Sequence, residues 1–366
     1  MQIDFNIPVI ILGIIISQGI FAGLILVFNK ENKFSSRILA AFLFISSLWL
    51  LDSFFNIAGV YRQNPDFYFL PIYYSFGFGP LIFFYVMGMT NHKFRLHLKN
   101  WIHFFPMIIQ GVYYAFLTTQ DYSYRRDFWF DIHRPYLMEW EFNITFLSLV
   151  IYIFVSIKYL INYQKWVNNN YSEISRIKLQ WLKVILLFMF VICAQWLILA
   201  ILRKFFDIYD GYDYLTIVLG LFTLILAFGG IKQGALSEVA FVPDKTEEGS
   251  LPTPELDQKM IDTIVQEMEK NKYYLDPNLT LNTFALKLDL PARSVSVHIN
   301  HGLQKTFIDF VNYYRVEEVK RKIRTGINKK FTLFTVALES GFNSKSTFNR
   351  IFKKFTGKAP SEFIDE

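Results

Sequence analysis

Between Asn343 and Thr356 the sequence reads NSKSTFNRIFKKFT, and five of its polar side chains recur at helical spacing: Lys345, Ser346, Asn349, Arg350 and Lys353. Positions i, i+1, i+4, i+5 and i+8 share one face of an α-helix. The opposite face carries Phe348, Ile351 and Phe352. Lysine and arginine meet phosphate oxygens and the acceptor edge of guanine, asparagine matches the adenine edge, and serine serves bases or phosphates. For a single basic helix, a solvated surface is the simpler reading. Gly341 upstream marks a tight turn, and the VALES run before it has the pattern of a short helix. The unit reads as helix, turn, basic amphipathic helix, with Asn343 or Ser344 as its N-cap.

An internal repeat changes the weighing. LTLNTFALKLDL (279–290) aligns with FTLFTVALESGF (331–342) at an offset of 52, pairing Thr280 with Thr332, Leu281 with Leu333, Ala285 with Ala337 and Leu286 with Leu338. Beyond the turn the offset becomes 53, pairing Val295 with Phe348, Ile299 with Phe352, Lys305 with Lys358 and Phe310 with Phe363. One extra residue in the second turn accounts for the slip. In the first copy Ala292, Arg293, Ser296, Val297 and Asn300 face outward. Two related copies with polar outer faces favour a nucleic-acid reader, because the second helix of such a module enters the major groove. The candidate DNA contacts are Arg293, Ser296, Val297, Asn300, Ser344, Lys345, Ser346, Asn349, Arg350 and Lys353.

The elements that must position these faces follow from periodicity. Helices are expected over 257–271, 281–288, 291–301, 305–325, 333–340, 344–355 and, briefly, 360–364, with Pro291 in the first turn of the third. The copies are joined by TFIDFVNYYRVEEVKRKIRTG (306–326), about 19 helical residues or roughly 29 Å. Successive major-groove turns lie ~34 Å apart, so such a bridge suits two readers on one DNA face. Residues 257–366 hold eighteen Lys and Arg against thirteen Asp and Glu, most of the chain's net charge of +6.

The other two thirds are oily. The 366-residue chain is 53% hydrophobic, with 40 Phe, 21 Tyr and a mean hydropathy of +0.27. A helix needs about 20 apolar residues to cross a ~30 Å hydrocarbon core. Seven candidates are present: 6–28, 37–60, 67–90, 100–118, 140–163, 180–202 and 212–231, the third read as kinked at GFGP (77–80). Lys30, Lys33, Arg37, Lys93, Arg95, Lys99, Lys165, Arg176 and Lys178 fall on one side. The opposite loops carry only Arg62, Arg125, Arg126, Arg134, Arg203 and Lys204. This bias puts the N-terminus outside and the C-terminal region in the cytoplasm. The acidic start MQIDFN, with no small-residue cleavage site after the first apolar run, argues against a removable leader.

Within this half, Asp52 is an intramembrane carboxylate, read either as a sensing residue or as a hydrogen-bonded tie between helices. Gln18, Gln110 and Gln195 read as interhelical glue. The loop 119–140 is aromatic and charged, and suits equally a lid and an interfacial belt. The single cysteine, Cys193, rules out a disulfide framework and a cysteine-based zinc cluster. No HExxH, GxSxG or P-loop is present, so no catalytic residue, metal or cofactor is expected. Residues 232–256, with three prolines and a Gly-Ser pair, read as a connector of about 25–30 Å root-mean-square span.

The second copy, ALESGFNSKSTFNRIFKKFTGKAPSEF, and the bridge FIDFVNYYRVEEVK resemble the DNA-binding domain of AraC/XylS-type transcription regulators. The resemblance spans about 110 residues, 257–366, and implies two helix-turn-helix motifs that read promoter DNA. Ala359 departs from it, standing where the family carries Thr or Ser before the proline. Pro291–Ala292 departs too, leaving Arg293, Ser296 and Asn300 as the first copy's polar groups. GPLIFFYV (79–86) and WIHFFP (101–106) resemble the membrane part of bacterial membrane-bound AraC-type regulators. That implies a multi-pass protein of the bacterial inner membrane.

The expected architecture is all-α: a seven-helix transmembrane domain (1–231), a linker (232–256) and a cytoplasmic double helix-turn-helix domain (257–366). The expected partners are double-stranded promoter DNA and membrane lipid, together with a small ligand or partner membrane protein and a second copy of the chain. The competing reading is a transporter or membrane enzyme with a regulatory cytoplasmic tail.

Overall fold

Asn6 opens the first helix: its Oδ1 accepts the Val9 N–H at 2.9 Å, and Pro8 sits in the first turn, where a missing N–H leaves no bond unmade. In the computed structural model, which describes residues 6–30, 33–64, 67–172, 174, 179–206, 212–232, 241, 256–326 and 331–363, this helix, α1, spans Ile7–Phe28. Next come α2 (Lys33–Ile57), α3 (Phe78–Thr90), α4 (Phe105–Thr118), α5 (Tyr122–Asn170), α6 (Gln180–Phe206) and α7 (Tyr212–Lys232). The C-terminal helices are α8 (Gln258–Asn271), α9 (Leu281–Lys287), α10 (Ala292–Val297), α11 (Phe307–Arg324), α12 (Leu333–Leu338) and α13 (Lys345–Thr356). Among the described residues the fold is all-helical, as expected. Two compact units emerge: Met1–Leu160 with Leu179–Val242, and Ile161–Lys178 with Pro243–Glu366.

In the first unit, α1 packs on α2 and α7 through small residues. A Cβ on Gly19 would stand 2.5 Å from Ser47 Oγ, and one on Gly220 2.8 Å from Ile15 Cδ1. Such glycines let helix backbones approach closely where no aqueous hydrophobic force drives them together. Leu12, Leu43 and Leu182 are fully buried, yet Phe21, Phe28, Phe154, Leu187 and Phe190 point outward. Apolar surface on this scale is stable only where something other than water covers it.

Four helices are long and apolar enough to cross a membrane: Ile7–Phe28, Lys33–Ile57, Tyr122–Asn170 and Trp181–Leu202. Ser75–Thr90 and Val218–Ile231 are apolar but shorter. The expected span 67–90 is not one kinked helix. Pro71 disfavours helical geometry at Leu70, Phe69 has φ +63°, and the α-helix begins only at Phe78. Pro80 then lies in a first turn, where its missing donor costs nothing. The expected span 100–118 splits into a 3₁₀ stretch, Leu98–Phe104, and α4. The segment 119–140 is not a loop: from Tyr122 it is helical and runs on into α5. A π-helical stretch, Trp129–Leu137, absorbs Pro135, whose ring the regular i→i−4 ladder would reject.

The second unit has two apolar cores. One gathers Ile264, Met268, Phe284, Ala285, Val295, Ile299, Phe307, Phe310 and Val311. The other gathers Val316, Val319, Ile323, Val336, Ala337, Phe342, Phe348, Ile351 and Phe352. Helix α11 contributes its first half to one core and its second half to the other. Its N-terminus is capped by Thr306, whose Oγ1 accepts from Asp309 N at 3.2 Å. Asp309 in the first turn and Arg321, Lys322 and Arg324 in the last complement the helix dipole. The expected short helix at 360–364 is a turn over 360–363, and its last residue lies outside the described ones. Most of the expected connector 232–256 also lies outside them.

Candidate nucleic-acid interface

The two copies are built from the same local chemistry. Thr280 caps α9 by accepting from Thr283 N at 3.1 Å, and Thr332 caps α12 by accepting from Thr335 N at 3.2 Å. Leu290 N donates to Ala285 O at 3.0 Å, and its counterpart Phe342 N donates to Ala337 O at 3.1 Å. Each turn carries a left-handed residue at the same register, Asp289 (φ +54°) and Gly341 (φ +91°). Pro291 and Ser344 then occupy equivalent N-caps. Asn343 is therefore the extra residue that moves the offset from 52 to 53.

Helix α13 places Lys345, Ser346, Asn349, Arg350 and Lys353 on one exposed face, with Phe348, Ile351 and Phe352 buried behind. Ser344 is committed elsewhere, since its Oγ accepts from Thr347 N at 3.2 Å as the helix cap. Lys354, beside this face, pairs with Asp309 of α11 at 2.6 Å, which ties the second reading helix to the bridge. Gly357, at φ +79°, closes α13, its N–H donating to Lys353 O at 2.9 Å.

The first copy is less open. Arg293 is exposed, but Ser296, Val297 and Asn300 are half-buried, and Asn300 Nδ2 donates to Ser296 Oγ at 3.2 Å. His298 is buried behind them; its Nε2 accepts from Asp257 N at 3.1 Å, which ties α10 to the entry of α8. At the chain's far end Ala359 offers no side-chain cap. Glu362 Oε2 reaches back to accept the Ala359 N–H at 2.8 Å, half of a capping box.

Asp52 lies near the C-terminal end of α2. Its Oδ1 accepts from Tyr61 Oη at 2.6 Å and Tyr73 Oη at 2.5 Å. The Tyr73 ring stacks on Tyr114 at 4.3 Å, and Tyr114 Oη donates to Glu141 at 2.7 Å. Gln110 joins this network, accepting from Phe76 N and donating to Ser75 Oγ, both at 3.2 Å. It acts as the glue its sequence position implied. Among the described residues, no three of His, Cys, Asp and Glu converge as a metal site would require.

Sequence reasoning missed Arg315, which is buried and sits where α11 passes from one core to the other. A signal was available: Phe307, Val311 and Arg315 fall at i, i+4 and i+8, so the arginine continues an apolar stripe.

Lower on α11, Glu318 accepts from Arg321 Nη2 at 2.6 Å and from Nε at 2.9 Å. These bonds hold the Glu318 carboxyl below its ordinary value of 4.5, against the opposing pull of burial. A depressed carboxyl contributes stability above its unfolded pKa and loses it as pH falls through the folded one. Acid unfolding of the C-terminal unit, followed by hydrogen exchange between pH 5 and 3, is expected to flatten in Glu318→Gln.

No curated protein and no solved structure matches the chain. Residues 284–366, from within α9 to the C-terminus, match the family model of a helix-turn-helix domain, of the AraC type, so the C-terminal part of this chain carries a DNA-binding module of that family.

Proposed function

We propose that the protein is a membrane-embedded transcription regulator. The region 1–231 crosses the bilayer seven times with the N-terminus outside, and 257–366 reads promoter DNA in the cytoplasm through both copies. The observation that carries this reading is the open, basic and polar face of α13 backed by a closed apolar core. Arg350 and Asn349 take base edges, while Lys345, Ser346 and Lys353 take bases or the flanking phosphates. The first copy contributes Arg293, with Ser296, Val297 and Asn300 lining a shallower contact.

The outward apolar residues of α1, α5 and α6 support lipid as their solvent. The short apolar helices complete a bundle that the long ones begin. The Asp52–Tyr73–Tyr114–Glu141 network is the best-built polar feature of that bundle, and it is where a small ligand or a partner membrane protein acts to set the state of the DNA-binding unit. Regulators of this architecture pair readers on DNA, so a second copy of the chain is an expected partner.

The test is a salt titration of duplex binding by the full-length protein in lipid nanodiscs. Four phosphates neutralised by Arg293, Lys345, Arg350 and Lys353 give a log–log slope of about −3.6. Absence of binding to any duplex at low salt sinks the reading.

A further inference from the structure

The second unit is assembled from two stretches distant in sequence, 161–178 and 243–366. The shorter stretch includes the last turns of α5 and the residues just beyond Asn170. Tyr171 forms an antiparallel bridge with Thr280, the cap of α9. Ser172 N donates to Leu279 O at 3.2 Å, and Ser172 Oγ donates to the same carbonyl at 2.6 Å. Ser172 is buried, as is Ile174.

The same serine meets Arg315. Arg315 Nη2 donates to Ser172 Oγ at 3.1 Å and Nη1 to Ser172 O at 3.4 Å. The rest of the guanidinium faces the turn ahead of the first copy: Nε donates to Tyr274 O at 2.8 Å and Nη2 to Asp276 O at 2.8 Å. The turn of the second copy closes over the far side, since a Cβ on Gly341 would stand 2.9 Å from Arg315 Nε and 2.3 Å from Tyr274 O. One buried cation therefore touches the segment after α5, the entry to the first copy and the turn of the second. A buried donor left without an acceptor costs far more than the same bond contributes when made. Ser172 in place thus favours one setting of the bridge helix against both turns.

We propose that residues 171–174 are a built-in latch: seated on Leu279, Thr280 and Arg315, they fix the relative setting of the two helix-turn-helix copies and so set affinity for DNA. This rests on the DNA-binding reading above. Because Ser172 follows directly on α5, the latch gives the unit a second attachment besides the covalent connector. Any displacement of the end of α5 withdraws the acceptor from Arg315 and loosens both turns together.

Two measurements on the full-length protein in nanodiscs test it. Opposed residues of an antiparallel bridge lie within disulfide range, and Cys193, the sole native thiol, is buried. Tyr171→Cys with Thr280→Cys is therefore expected to oxidise to an intramolecular disulfide, seen as a shift in non-reducing electrophoresis. On a duplex selected from random DNA by the parent protein, Ser172→Ala is expected to change affinity by about fivefold or more, the lower end of ordinary coupling between sites. Closing the disulfide in the Ser172→Ala background is expected to restore the parent affinity. The latch is overturned if both thiols alkylate freely and no disulfide forms. It is equally overturned if Ser172→Ala binds DNA as the parent does. If the parent binds no duplex, the functional reading falls, and disulfide formation alone then decides whether the segment is seated.

Discussion

Replacing Gly341 by valine is expected to destabilise the C-terminal unit by on the order of 4 kcal/mol, a large share of what an ordinary domain possesses. Two costs combine. The residue sits at φ +91°, where β-branched side chains are strongly disfavoured, and its Cβ would lie 2.3 Å from the Tyr274 carbonyl oxygen. The obstacle is backbone, so no side-chain rotation relieves it. Gly357 provides the internal control, because it is also left-handed, at φ +79°, but has nothing within 4 Å of its missing Cβ. Gly357→Ala is expected to cost only about 1 kcal/mol. Gly341→Asn separates conformation from crowding. Asparagine tolerates the left-handed region, as Asp289 does at the matching turn of the first copy, but its Cβ still meets Tyr274. Hydrogen exchange across α11 and α13 of the full-length protein reads all three. A Gly341→Asn variant as stable as the parent would show that crowding is not the constraint.

The second large effect concerns binding rather than folding. Lys345, Arg350 and Lys353 are exposed, and none caps or packs a helix in the unit. Their joint replacement by alanine is expected to leave the thermal transition of the unit in place while removing its main electrostatic grip. The salt slope should shrink by about 2.7, and affinity near ~0.1 M salt should fall by on the order of 10²–10³-fold. The single variants distinguish roles. Arg350→Ala on a base edge relaxes preference at one position of the selected site, whereas Lys345→Ala or Lys353→Ala on phosphates weakens all sequences alike. A triple variant with an unchanged slope would place the DNA on another surface.

The C-terminal unit was largely legible in the sequence because its signals are local. Thr280 and Thr332 announce their helices through the same Thr-Leu-x-Thr cap, and Ala285 and Ala337 mark the same close packing. Phe348, Ile351 and Phe352 declare their face by spacing alone. Ser344 was harder, since one hydroxyl suits both a cap and a phosphate, and only geometry shows that the cap has it. Arg315 and Ser172 lay beyond reach as a pair, because a contact between residues 143 positions apart leaves no local trace. The membrane half was legible by hydropathy and illegible in its breaks. Apolar composition over 67–90 is as even as in a span, yet the backbone answers to Pro71 and to the left-handed Phe69. Over 119–140 the charges and Pro135 argued for a loop, but a π-helical register accommodates the proline without breaking the helix.

The division of α11 between two cores has a consequence for how this module can be inherited. Phe307, Phe310 and Val311 belong to one copy's interior, and Val316, Val319 and Ile323 to the other's. A gene fragment encoding either copy with the bridge would leave half of that helix wearing an uncovered greasy stripe. One without the bridge would leave the copy's own interior lacking a wall. The smallest piece that recombination can move intact is therefore the pair, and duplication that began with one reader became irreversible once a single helix served both.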